Sequence, residues 1–168
     1  MMQSSPLNAR RAIIWIGRLV LAGIFIYAGY AKLTMGMHPR PPMGVALSFF
    51  ALQVDSYQIL PTLGVNFVAH TLPFAEIILG LLLLLGVGLR IWATLVTVIM
   101  LGFFAAVVRS YALGLQINCG CFASPEPLTL KTVFRDGALV ALALLMTIFA
   151  FLEARKPHPW SVPEKVST

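Results

Sequence analysis

Charge is scarce in this chain. Asp, Glu, Lys and Arg make up 11% of its 168 residues, against 59% hydrophobic residues. A soluble core of this length cannot hide so much apolar surface, so the composition excludes a water-soluble globular domain and points to an integral membrane protein. Acids are scarcer than bases, 6 against 12, which leaves a net charge of +6. An excess of that size would fit a nucleic-acid binder if the bases formed one patch. They are scattered at the ends of apolar runs instead, so membrane topology accounts for them and nucleic acid is excluded as a partner. No repeat of fixed period, inverted repeat or low-complexity segment is present, and few charges fall inside apolar runs, which leaves little basis for an alternating-access carrier. Of the three histidines, only His38 and His70 fall on the same side as the two cysteines. A metal centre would need more ligands, and none is expected.

Long apolar runs are what the chain has in abundance. Four of them, residues 12–33, 70–89, 91–108 and 133–152, are long enough to cross the roughly 30 Å hydrocarbon layer, so residues 1–168 read as one all-α membrane domain, a four-helix bundle. The polar stretch at residues 1–11, with Arg10 and Arg11 before the first run, resembles the start of a signal peptide. The run nevertheless continues to Leu33 without a small-residue cleavage site, and Tyr27, Tyr30 and Lys32 stand where one would fall, so the segment reads as a retained first span. Pro39, Pro41 and Pro42 break the chain after it. Residues 46–60 mix Gln53, Asp55 and Gln58 with apolar side chains, the pattern of an interfacial or re-entrant helix inside a long first loop. Gly86, Gly88 and Arg90 make a very short turn, so the second and third spans form an antiparallel hairpin.

Four spans place both termini on one side. Arg10 and Arg11 flank the first span, which usually dominates orientation, and this favours cytoplasmic termini. The first loop and the segment after the third span then face outward, into the compartment where disulfides persist. That segment is Asn118-Cys119-Gly120-Cys121-Phe122, and it holds the only two cysteines. A disulfide between positions two apart closes a small ring that Gly120 makes sterically accessible, and such a bond exchanges readily with other thiols. Spacing this short removes little unfolded-chain entropy, so a structural role would use it poorly. A redox-active pair is the favoured reading; an inert pair, a metal site and two separate free thiols stay open.

Tyr27, Tyr30, Lys32, His70, Glu76, Arg109, Arg135 and Asp136 fall in the same outward half as the cysteines. An acid inside a span is costly unless paired or facing a polar cavity, which makes Glu76 a candidate site residue. Two roles stand side by side for it: proton exchange during thiol–disulfide transfer, or an ion pair with Arg109 or Lys32 that fixes helix packing. Arg109 near Cys119 would favour the thiolate. Arg18 reads as an anchor that snorkels to the headgroups, His70 as a solvated interfacial residue, and the 81–85 leucine run as a lipid or packing face. Phe49 and Phe50 read as dipping into the interface or lining a quinone-sized groove.

At these residues the chain resembles the MauE/DoxX family of small four-helix bacterial membrane proteins. The resemblance rests on Arg18 with Gly23, Phe25, Ala28-Gly29 and Lys32-Leu33, on Leu72-Pro73 with Glu76 and Gly80, and on the cysteine motif, and it spans most of residues 12–152. The motif is closer to the MauE branch, whose usual form has Asp before the first Cys and Gly after the Phe; here they are Asn118 and Ala123. MauE-like proteins are associated with maturation of the disulfide-rich periplasmic methylamine dehydrogenase beside a thioredoxin-like partner, and DoxX-like relatives with quinone-coupled oxidation of sulfur compounds. The resemblance thus implies a multi-pass protein of the bacterial cytoplasmic (inner) membrane. Its expected function is a thiol-disulfide oxidoreductase or redox relay using Cys119 and Cys121, with Glu76 and Arg109 as further site residues. The implied partners are the lipid bilayer and a periplasmic thioredoxin-like or disulfide-containing protein, and quinone is the cofactor such a relay would use. The alternative is a non-catalytic membrane subunit or assembly factor that docks a partner through the first loop.

Overall fold

The structure, a computed structural model, describes residues 6–35, 39–86, 88–119 and 127–154. Five α-helices make up these residues: α1 (Pro6–Thr34), α2 (Met43–Ser56), α3 (Thr62–Leu85), α4 (Leu89–Ala112) and α5 (Leu130–Ala154). Ala12–Thr34, Thr62–Leu85, Leu89–Ala112 and Leu130–Leu152 are each long and apolar enough to cross a membrane. A helix of 24 residues rises about 36 Å, enough to span the hydrocarbon layer with some tilt. Many of the largest side chains point outward, among them Trp15, Phe67, Leu85, Ile91 and Phe134, as lipid-facing positions do. The all-α, four-span architecture with a shorter helix in the first loop is as expected from the sequence.

The second span begins at Thr62 rather than at position 70, because Pro61 in an extended conformation is its N-cap and accepts the Val65 amide at 3.0 Å. It stops at Leu85 because Gly86, at φ +71°, takes the left-handed conformation that closes a helix. The helix in the first loop occupies Met43–Ser56, a little before the stretch expected. Gln58, at φ 52°, then turns the chain into α3. At 14 residues α2 is too short to cross; its Ala46, Leu47 and Phe50 pack on the bundle while Met43, Phe49 and Leu52 stay exposed.

The four long helices alternate in direction. Along the α1–α3 seam, the most extensive in the molecule, Gly80 meets Ala22 and Ile26 while Gly29 meets Pro73 and Ile77. A Cβ at Gly29 would lie 2.5 Å from the Pro73 carbonyl oxygen, so only glycine allows this approach. Small residues bringing backbones together is the usual means by which helices associate in lipid, where no hydrophobic force drives them. Thr97 and Thr147 share a 2.9 Å hydrogen bond between α4 and α5. Leu21, Phe25, Leu83, Val96 and Met146 form the core of the half nearest the Gly86 turn.

Arg18 belongs to this half. Its guanidinium donates to the carbonyls of Leu83 and Leu84 at 3.0 and 2.9 Å and stacks on Trp15. Those carbonyls belong to the last turn of α3, where no helical amide remains to satisfy them. Arg18, expected to snorkel to the headgroups, uses its guanidinium to cap a neighbouring helix.

Candidate functional site

The opposite end of the bundle is built around Cys119. Leaving α4, the chain turns through Gly114, and the Leu128 amide donates to the Ile117 carbonyl at 2.9 Å while Asn118 and Pro127 form an isolated antiparallel bridge. These contacts close the base of the cysteine segment. The Thr132 hydroxyl donates to the Pro127 carbonyl at 3.3 Å and ties the returning chain to α5. Cys119 is disulfide-bonded and only 1% exposed. Cys121, Gly120 and Phe122 lie outside the described residues.

Three side chains define the surroundings of Cys119. The Tyr57 hydroxyl donates to its carbonyl at 2.6 Å. Burial, and secondly the negative charge of Asp136, push the Tyr57 hydroxyl well above the usual phenol range, so it stays a donor at any physiological pH. Asp136, itself buried, places Oδ2 3.8 Å from the sulfur. Arg135 donates from Nε to Asp136 Oδ1 at 3.1 Å and holds Nη2 4.0 Å from the same sulfur. A carboxylate and a guanidinium beside one sulfur are the groups that hold a thiol proton and stabilise a thiolate when the disulfide opens.

Arg109 stands one step further back. Its guanidinium donates to the Tyr57 carbonyl at 3.3 Å, so it fixes the end of α2 and, through the Tyr57 ring, the Cys119 backbone. The cation in contact with the sulfur is Arg135. Glu76 pairs with Lys32: both carboxylate oxygens lie within 2.9 Å of Nζ, and both side chains are largely buried. The Phe50 ring covers the ammonium at 5.5 Å. His70, exposed on α3, donates from Nδ1 to the Asn66 carbonyl.

Glu76 and Cys119 share a cavity of about 380 Å³. Its walls are mostly apolar, with Phe25, Phe50, Leu72, Met100, Phe103 and Val140 among them, and Lys32, Glu76, Tyr57, Cys119 and Asp136 interrupt that surface. Sequence reasoning placed Arg135 and Asp136 in the correct half of the bundle but did not single them out. The available clue was Asp136 itself, a second acid within an apolar run. Tyr57 carried no such mark, because its role depends on where α2 folds.

Four apolar helices, lipid-facing outer surfaces and a disulfide-bonded cysteine held against buried charges at one end define a small multi-pass membrane protein. The family model of methylamine utilisation protein MauE matches residues 10–149, and the chain belongs to that family. No curated protein and no solved structure gives a significant match.

Proposed function

We propose that this chain is a thiol–disulfide relay of the bacterial inner membrane, with its termini in the cytoplasm and the cysteine segment facing the periplasm. The observation that carries the reading is the setting of Cys119, a disulfide sulfur held within reach of both Asp136 and Arg135 on the wall of an apolar cavity. A purely structural crosslink needs neither group. In the forward step, a thiolate of a periplasmic partner attacks the Cys119–Cys121 disulfide and forms a mixed disulfide. The partner's second thiolate then resolves it, leaving the partner oxidised and Cys119 and Cys121 as a dithiol. Asp136 takes up or returns the Cys119 proton, Arg135 stabilises the thiolate, and Arg109 positions the segment through Tyr57. The family's name points to methylamine utilisation, and the resemblance drawn from the sequence makes a disulfide-containing periplasmic protein the natural client. One pair holds two electrons, so the dithiol must be reoxidised by a quinone or by a second protein before the next cycle.

Trapping in intact cells tests the reading. Cys119→Ser and Cys121→Ser variants should accumulate mixed disulfides with the partner, and the wild-type pair should shift between oxidised and reduced forms on alkylation gels. If neither variant traps a protein and a double Cys→Ser chain fully complements a deletion, the chain is instead an assembly factor that docks through its first loop.

A further inference from the structure

We propose that the cavity lined by Glu76 and Lys32 binds a single-chain lipid with a neutral, hydroxyl-bearing head group, the class to which monoacylglycerols belong. The proposal goes beyond the relay reading and is independent of it, because the binding uses no thiol chemistry.

Position comes first. Ile24 and Met100 stand near the middles of the spans Ala12–Thr34 and Leu89–Ala112, whereas Tyr57 and Leu60 belong to the end of α2 and the link into α3. The cavity, about 380 Å³ in volume, therefore runs from the bilayer centre toward the cysteine-side surface, the path that one acyl chain of that leaflet takes. Among the described helices that touch, α3 and α4 share the least contact, yet both line the cavity, Leu72 from one and Phe103 from the other. That seam admits a chain from lipid.

Hydrogen-bonding capacity then decides the head group. The three protons of the Lys32 ammonium face Glu76 Oε1 at 2.9 Å, Glu76 Oε2 at 2.8 Å and the Ala28 carbonyl at 3.5 Å, and the Phe50 ring covers the charge. No proton is left over for an anionic head. Glu76 is the more exposed partner, its side chain 13% accessible against 6% for Lys32, and each of its oxygens keeps acceptor capacity beyond the Lys32 bond. A cationic head drawn to that carboxylate would stand beside the Lys32 ammonium and be repelled by it. On the α5 side of the cavity, Asp136 is likewise paired, with Arg135, so neither carboxylate asks for a counter-ion. A bare hydrocarbon chain would leave the Glu76 acceptors unmet in an apolar wall, which is costly. A neutral hydroxyl donates to them without bringing charge. Phe25, Ile99, Met100 and Val140 supply the apolar wall along which the chain lies.

The experiment uses the purified full chain in phosphatidylcholine nanodiscs, a bilayer without a hydroxyl donor. Monolauroylglycerol carrying a diazirine in its acyl chain is photolysed in place, and the adducts are mapped by peptide mass spectrometry. Adducts are expected on the cavity-lining positions of α1 and α4. Unlabelled monolauroylglycerol should displace them about tenfold better than methyl laurate, laurate or dodecylamine, the advantage of one hydrogen bond to a carboxylate. Gly102 lines the cavity from α4, and a Cβ there meets no atom within 4 Å, so Gly102→Phe narrows the cavity without a clash and should abolish the displaceable labelling at unchanged circular dichroism. Lys32→Met/Glu76→Met replaces the ion pair with apolar side chains and should bring methyl laurate level with monolauroylglycerol. Adducts spread over the lipid-facing surface, or untouched by Gly102→Phe, overturn the cavity as the site. Equal displacement by all four compounds in the wild-type chain overturns the hydroxyl head, and a preference that survives in the double Met variant overturns Glu76 as its partner. Thiol trapping decides the relay separately, whichever of these results is found.

Discussion

The two ends of this bundle are built on opposite principles. At the Gly86 end, helices approach closely through small residues, the core is continuous from Leu21 to Met146, and the charge of Arg18 is spent on backbone carbonyls. At the cysteine end the helices part around a cavity, and its wall carries Lys32, Glu76, Asp136 and Tyr57. Charge inside lipid is expensive, so polar groups concentrate where they serve either closure or chemistry. The difference teaches that one half holds the helices together and the other half holds a cavity open.

The largest expected effect is at the buried ion pair. Glu76→Gln leaves the Lys32 ammonium buried without its carboxylate, which should cost about 3–5 kcal/mol of stability in detergent unfolding titrations. A Lys32→Met/Glu76→Met double variant should regain most of that loss by filling the space with apolar atoms. A single variant that unfolds like wild type would show that the pair is solvated and that the cysteine end is not a low-dielectric cavity. Next comes Asp136→Asn, expected to slow exchange at Cys119 by about 10²-fold in a glutathione assay, because the amide cannot take up the thiol proton. Asp136→Glu should restore part of the rate. Equal loss in both variants would make Asp136 a packing residue.

The division into halves was partly legible in the sequence. Apolar runs long enough to cross a bilayer fix the four spans, and Pro39, Pro41 and Pro42 with the polar residues after them mark the first loop as something other than a span. The cysteine motif marked the loop on which the expected chemistry was placed, and Glu76 was singled out because an acid in a span must be paired or face a polar cavity; the structure pairs it with Lys32. What sequence could not supply is tertiary. Arg109 and Arg135 are equivalent cations by position along the chain, and only the return of the chain from Pro127 into α5 brings Arg135 to the sulfur. The start of α3 was missed because residues 62–69 read as loop until Pro61 is recognised as a helix cap. The cavity is contributed by all five helices and has no signature in any one of them.

The Gly86 end predicts a smaller effect of a different kind. Gly86→Ala imposes a left-handed conformation on a residue with a side chain and drives its Cβ against the Arg18 guanidinium, which would otherwise cap α3. A loss of about 2 kcal/mol in thermal unfolding is expected, with the rate of exchange at Cys119 unchanged. If Gly86→Ala slows exchange as much as Asp136→Asn does, the two ends are coupled and the division fails.

Tyr57→Phe gives the smallest change at neutral pH and the most diagnostic one at high pH. Removing the hydroxyl leaves the Cys119 carbonyl without its buried donor and should cost about 1 kcal/mol below pH 9. The pH dependence has a fixed sign. The hydroxyl titrates higher in the folded protein than its unfolded value of 10.0, because burial and then Asp136 oppose the phenolate. Above that value the unfolded chain has lost the proton while the folded protein keeps it, so stability from Tyr57 is full below pH 10 and falls as pH rises, by about 1.4 kcal/mol per unit. Phenylalanine has no such proton, and the titrations of all other groups cancel in the difference between the two proteins. The stability difference between wild type and Tyr57→Phe should therefore be flat to pH 9 and shrink, then reverse, above pH 10. A difference that stays constant to pH 11 would mean that the hydroxyl meets water in the folded state, and that the Tyr57 side of Cys119 is open to solvent rather than packed.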